Sequence, residues 1–295
     1  MNEQLKNQEI SSLIRLLDDG DEFVWTRVQK RLIELGEDAL PFLEMAVRDE
    51  NLARSRRALG SIQAIRPIQI REKFRALALT HRDRDIELES GMLVLSEYGH
   101  PETDSEMCRK ILDELATGLA KRLPKDPTPE RIVRELGHYL FFEQGFKGNR
   151  ADYSHPDNSF FHPFLIRKLG LPISLAALCI LISHRLNLNI AGVGLPCHFI
   201  AMYNTPEETI YFDPFNKGKR LSPDDCRDLV RGFGFKFYDH HLAPVSNRDI
   251  LVRMINNLAV SFNRMDLKEK AKQLLEYSNI LMTPHKEASR NQWRK

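Results

Sequence analysis

The chain has 295 residues, with 43 Lys and Arg against 41 Asp and Glu, a formal net charge of +2. Hydrophobic residues make up 42% and charged residues 28%, with 15 Gly, 15 Pro and 4 Cys. That composition excludes a disordered or fibrous chain, and the near-zero charge gives no global drive toward nucleic acid or an anionic membrane. The length predicts two domains, or one large domain with an appendage.

Cys108, Cys179, Cys197 and Cys226 form no CxxC pair, so no disulfide scaffold is expected. The N-terminal MNEQLKNQEISS is polar and lacks the apolar core of a signal peptide. The longest apolar stretch, Leu175 to Ile182, is far short of the ~20 residues that span a bilayer. The reading is a cytoplasmic protein with free thiols, not membrane-inserted.

The first hundred residues read as helices. Asp21 caps a helix whose Val24, Val28 and Leu32 form one stripe, and Gly36 ends it. Asp38 opens a second helix carrying Leu40, Leu43 and Val47. Such a pair resembles one HEAT-like repeat, and a second pair is expected from Leu52 to Ile65 and from Pro67 to Leu79. Helices follow over Ile86–Tyr98 and Asp104–Arg122, the latter with Met107, Ile111, Leu115 and Leu119 on one face.

Residues 27 to 84 hold 13 Lys and Arg against 8 Asp and Glu, with Arg54, Arg56 and Arg57 close together. One reading is a basic face for RNA or an acidic partner. The other is the solvated side of amphipathic helices, and it is favoured because no aromatic residues interleave as stacking platforms.

LPKDPTP, from Leu123 to Pro129, reads as a linker, after which Thr128 caps a helix with Pro129 at its first position. Phe141 to Asn158 reads as a long irregular loop. Pro163–Lys168 is a short helix and Pro172 starts an apolar one. The period then switches toward two, with strands over Ala191–Tyr203, Thr209–Phe212 and Phe233–Tyr238 and a helix over Pro223–Val230. Asn247–Tyr277 is a late helical region. Segregated helices and antiparallel strands give an α+β class.

GLPISLAALCILISHRLNLNIAGVGLPCHFIAMY, followed by IYFDPFNKG, orders a buried helix, a strand carrying His198 and a strand ending at Asp213. A thiol protease-like site needs these parts. A nucleophile sits at a helix N-terminus, a His takes its proton, and an acid orients the His.

The pattern resembles the transglutaminase-like superfamily, and within it the SirB-type bacterial family. The matching stretches are FFEQGFKGN, YSHPDNS, GLPISLA, GVGLPCHF and YFDPFNKG, and RLIELGEDALPFLE resembles the front of that family. The resemblance implies a transglutaminase-like (papain-like) α+β core at 101–245, an N-terminal all-α HEAT-like domain at 1–100 and a helical extension and tail at 246–295. It also implies that His198 and Asp213 are the superfamily's His and acid.

The superfamily's enzymes carry Cys at the start of the core helix, and here Ile173 or Ser174 occupies that place. Ser174 is a weak nucleophile without a strong base, and a first-turn hydroxyl is its structural alternative. Cys179 should face the core, and Cys197 is usable only if it sits in a turn after Pro196. Asn158 and Ser159 are expected at the same cleft, or as a turn after Pro156. His155, His162, His198, His240, His241 and Cys197 show no ligand spacing, so no metal and no cofactor are expected.

Two functions follow. One is a non-catalytic, regulatory protein that binds a protein or peptide in a transglutaminase-like cleft. The other is a divergent amide hydrolase or acyltransferase using Ser174 or Cys197 with His198 and Asp213. Nucleic acid and membrane are not expected partners, and the oligomeric state is open.

Overall fold

A computed structural model describes residues 3–80 and 85–283. Two compact units are present, Met1–Lys73 and Phe74–Lys295. No described helix is long and apolar enough to cross a membrane.

In the first unit α1 (Glu3–Arg15), α2 (Glu22–Leu35) and α3 (Leu40–Ala46) precede α4 (Leu52–Thr80). Asp21 caps α2 by accepting the Phe23 amide, and Gly36 ends it at φ +61°. The second helix starts later than expected. Asp38 lies in a 3-10 turn, Gly36–Ala39, and α3 has no side-chain cap. Ile10, Leu17, Val28, Leu32, Leu43, Ala58, Ile62 and Ile65 form the core of this unit.

The break expected at Pro67 does not occur, because α4 continues through it. An internal proline costs a helix about 3 kcal/mol, and the buried Ile62, Ile65 and Ile70 on either side offset that loss. The arginine cluster is also accounted for within this unit. Arg54 pairs with Asp18 at 2.6 Å and Asp49 at 2.8 Å. Arg57 donates to the Leu17 and Asp19 carbonyls at 2.6 and 2.9 Å and covers the Trp25 ring at 4.4 Å. The helical face is therefore internally compensated at two of its three clustered arginines.

The second unit holds α5 (Leu88–Gly99), α6 (Ser105–Ala120), α7 (Pro129–His138), α8 (Phe161–Arg167), α9 (Pro172–Arg185), α10 (Pro223–Gly232), α11 (Asn247–Arg264) and α12 (Lys268–Met282). Asp104 and Thr128 cap α6 and α7 through the Met107 and Arg131 amides. On α6 the buried face is Cys108, Leu112, Leu115, Ala116 and Leu119, so Met107 and Ile111 stand at its edge.

The strands are β1 (Lys147–Gly148), β2 (Leu169–Gly170), β3 (Ile190–Val193), β4 (Ile200–Asn204), β5 (Thr209–Asp213), β6 (Lys219–Leu221) and β7 (Pro244–Val245). β1 and β2 form a short parallel pair. The other five form one antiparallel sheet in the order β6-β5-β4-β3-β7. Helices and an antiparallel sheet segregated along the chain make this an α+β protein.

Two strand expectations change. Residues 194–199 are not strand, so β3 and β4 form a hairpin and His198 lies in its connection. Phe233–Tyr238 is not a strand either. Phe233 and Phe235 are exposed and Gly234 has φ +83°, while Phe237 packs against the cluster around Val193 and Val230, so the alternation forms no continuous buried face.

α9 lies against β3 and β4 and is buried from Pro172 to Cys179. Ile200 and Met202 of β4 join Val193, Leu195, and Cys226 and Val230 of α10 in a second cluster. The sheet therefore delivers the start of β4 and the end of β5 to one place, with α9 against β3 and β4.

Candidate functional site

The antiparallel register sets Ala201 opposite Phe212, so the residues just before β4 and at the end of β5 are neighbours. His198 Nε2 lies 2.9 Å from Asp213 Oδ2. Asp213 is 2% exposed. Its Oδ1 accepts the Phe215 and Asn216 amides at 2.9 and 3.2 Å, and Asn216 Nδ2 donates to Oδ2 at 2.6 Å. Burial works to raise the pKa of this carboxyl. The His198 bond and charge and the Asn216 donors outweigh it, and the carboxyl titrates below its ordinary value. An ionised carboxylate accepts and does not donate. It therefore draws the imidazole proton to Nε2 and leaves the Nδ1 lone pair as the basic position.

Phe215 follows the acid and packs edge-on to His198, with ring centres 6.0 Å apart. Tyr153 meets the same Phe215 ring at 6.0 Å, and the Arg150 guanidinium covers it at 4.9 Å. Arg150 also donates to Asn216 Oδ1. The segment before the core helix thus reaches the His–Asp pair through an aromatic contact.

The other expected site residues are held elsewhere. Ser174 Oγ is fully buried and donates to the Asn158 carbonyl at 2.7 Å. The same carbonyl accepts the Leu171 amide at 3.3 Å, tying the loop to the start of α9. Asn158 is also buried, and its side chain is spent. Nδ2 donates to the Asp152 and Tyr153 carbonyls at 2.7 and 3.1 Å, and Oδ1 accepts Asn149 Nδ2 at 2.9 Å. Ser159 is buried next to it, and Ile173 is buried in the first turn of α9.

Cys197 occupies the bend after Pro196 and packs against the Val193–Ile200–Val230 cluster. Burial pushes its thiol up, partly countered by its own amide and the Arg253 charge. Neither Ser174 nor Cys197 is hydrogen-bonded to His198. Cys179 is fully buried and burial pushes its thiol up. Among the described residues no three His, Cys, Asp or Glu side chains converge to hold a metal ion.

Residues 106–256, half of the chain, match the family model of the transglutaminase-like superfamily. The chain belongs to the transglutaminase-like superfamily. It is 27% identical over 215 residues to a UPF0162 protein of Xylella fastidiosa, covering 71% of this chain and 76% of that protein. A second Xylella fastidiosa UPF0162 protein is 29% identical over 182 residues, 60% of this chain and 65% of its own length. Human F-box only protein 21 is 30% identical over 156 residues, half of this chain but only 24% of that protein. This chain therefore spans less than two thirds of some of the relatives it matches. No solved structure matches.

In this transglutaminase-like chain two participants carried no sequence signal that pointed to them. Asn216 sits in the NKG turn and completes the shell of Asp213. Arg253, on α11, donates to the Leu195 and His198 carbonyls at 2.9 and 3.0 Å.

Proposed function

We propose that this chain is a non-catalytic, SirB-type member of the superfamily that binds a protein or peptide. One observation carries the reading: both candidate nucleophiles are engaged away from His198, Ser174 by a main-chain carbonyl and Cys197 by an apolar cluster. Without an attacking atom the His198–Asp213 pair serves as a polar, hydrogen-bonding feature of a cleft. The match of half of this chain to a small part of a much longer human protein supports use as a module. In this reading the helical front is a HEAT-like partner surface and the protein works in the cytoplasm.

The intact pair favours one other reading, a divergent amide hydrolase or acyltransferase. There Ser174 or Cys197 would turn to His198, which acts as general base with Asp213 as its orienter. Proton transfer of this kind supplies roughly 10²–10⁴-fold in rate.

A fluorophosphonate and iodoacetamide, each mapped by mass spectrometry, separate the two. The binding reading expects no labelling that depends on His198. Labelling of Ser174 or Cys197 that disappears in His198→Ala would replace it with the enzyme reading. A displayed peptide library tests the remaining half: selection must enrich sequences whose binding falls in His198→Ala, and a selection without enrichment would remove the peptide ligand.

A further inference from the structure

Arg253 reaches the turn before β4 from a helix 55 residues further along the chain. Its Nη1 donates to the Leu195 carbonyl at 2.9 Å and its Nη2 to the His198 carbonyl at 3.0 Å. The His198 amide donates to the same Leu195 carbonyl at 3.3 Å. One planar fork therefore closes both ends of the Leu195–His198 turn, and the guanidinium also covers the Phe199 ring at 5.4 Å. A Lys would bring its donors on one rotatable nitrogen and would lack the two separated, coplanar N–H groups that fix this geometry.

The arrangement is costly. Burial pulls the Arg253 pKa below its ordinary value, with Tyr153 and Cys197 as its ionisable neighbours. Among the described residues no carboxylate pairs with it. An apolar side chain would fill such a place more cheaply unless the fork itself is needed. Gly194 lies close beside the guanidinium. A Cβ on Gly194 would stand 3.4 Å from Arg253 Nη1 and 3.3 Å from Val245 Cγ1.

We propose that Arg253 is a positioning residue for His198, setting the main chain of the turn so that Nε2 meets Asp213 and Nδ1 stays unbonded. The assignment is independent of whether the site binds or catalyses, because it concerns the orientation of the ring alone. It also makes α11 part of the site, through a contact to the main chain of the turn.

Long-range proton–nitrogen spectra of the His198 ring test it in the full-length protein. Wild type should show one tautomer, protonated at Nε2, with slow exchange of that proton. Arg253→Met and Arg253→Lys should both mix tautomers and speed exchange of the Nε2 proton by about tenfold or more, while the melt stays cooperative. Arg253→Lys should fall between wild type and Arg253→Met, since it keeps the charge and one of two contacts. A purely structural arginine would lower the melting temperature and leave the ring signals in place. A folded Arg253→Met with wild-type tautomer and exchange overturns the proposal. If Arg253→Met does not fold, wild-type ring signals in Arg253→Lys overturn it equally, and so does a wild-type ring without a single tautomer.

Discussion

His198 Nε2 and Asp213 Oδ2 are 2.9 Å apart, and the carboxylate is bonded on its remaining sides by Phe215 and Asn216. Such an acceptor is fully committed and cannot swing toward a ligand. What it offers is a fixed partner that holds one ring nitrogen, and among the described residues the other nitrogen has no hydrogen-bond partner. The chemistry open to the site is therefore that of His198 Nδ1 and of whatever reaches it.

The charge on Asp213 should make the protein acid-sensitive. Its folded pKa lies below the ordinary, unfolded value, so its contribution is fully present above about pH 4 and is lost as pH falls through the folded pKa. Asp213→Asn presents an amide donor where the acid accepted main-chain amides, and should cost about 1–3 kcal/mol at pH 7. Thermal melts at pH 7 and pH 3.5 check the sign. The gap between wild type and Asp213→Asn should narrow at the lower pH, and a constant gap would mean that ionisation contributes nothing.

Much of this site was legible in two short stretches, GVGLPCHF and YFDPFNKG, because antiparallel neighbours bring their ends together by register alone. Asn216 was missed although it lies three residues from Asp213. An NKG turn reads as a turn whether or not its side chain is used. Arg253 had no local signal, since its contacts are to carbonyls 55 and 58 residues away. The FGFKFY alternation suggested a strand, but Phe233 and Phe235 find no sheet to face. Pro67 suggested a helix break that buried isoleucines on either side override. The arginine cluster looked free because Asp18 and Trp25 lie over two dozen residues before it in the chain.

Asn158 and Ser174 should behave as a clamp of unequal halves. Asn158→Asp removes two donors from the Asp152 and Tyr153 carbonyls and buries a charge, at a cost of about 3–5 kcal/mol. Ser174→Ala removes one hydrogen bond, and the Asn158 carbonyl still accepts from Leu171, at a cost of about 0.5–1.5 kcal/mol. Urea titrations give both values. A Ser174→Ala protein as unstable as Asn158→Asp would mean that the serine holds more than this carbonyl.

The thiols should separate by burial. Cys108 and Cys226 are buried with pKa values pushed up to about 11 in each case, and Cys179 is pushed up further. Cys197 is only partly buried, and its thiol is raised less. Alkylation of the native protein at pH 7.5 should modify Cys197 alone, more slowly than free cysteine, and the other three only in denaturant. His198→Ala should leave the Cys197 rate unchanged. A slower rate in that variant would show His198 activating the thiol.

Gly148 should be sensitive through Phe215. A Cβ there would lie 2.3 to 2.7 Å from three atoms of the Phe215 ring, which also packs edge-on to His198. Gly148→Ala must displace the ring and should cost about 1–3 kcal/mol, with a change in the His198 ring resonances. Gly145→Ala is the control. Gly145 has φ +79° with no atom within 4 Å of an added Cβ, so its alanine is strained by roughly 1 kcal/mol without touching the aromatic contact. Melting temperatures should fall in both variants, and the His198 signals should move only in Gly148→Ala. Signals that move equally in both would place the sensitivity in the backbone of the loop and not in the Phe215 ring.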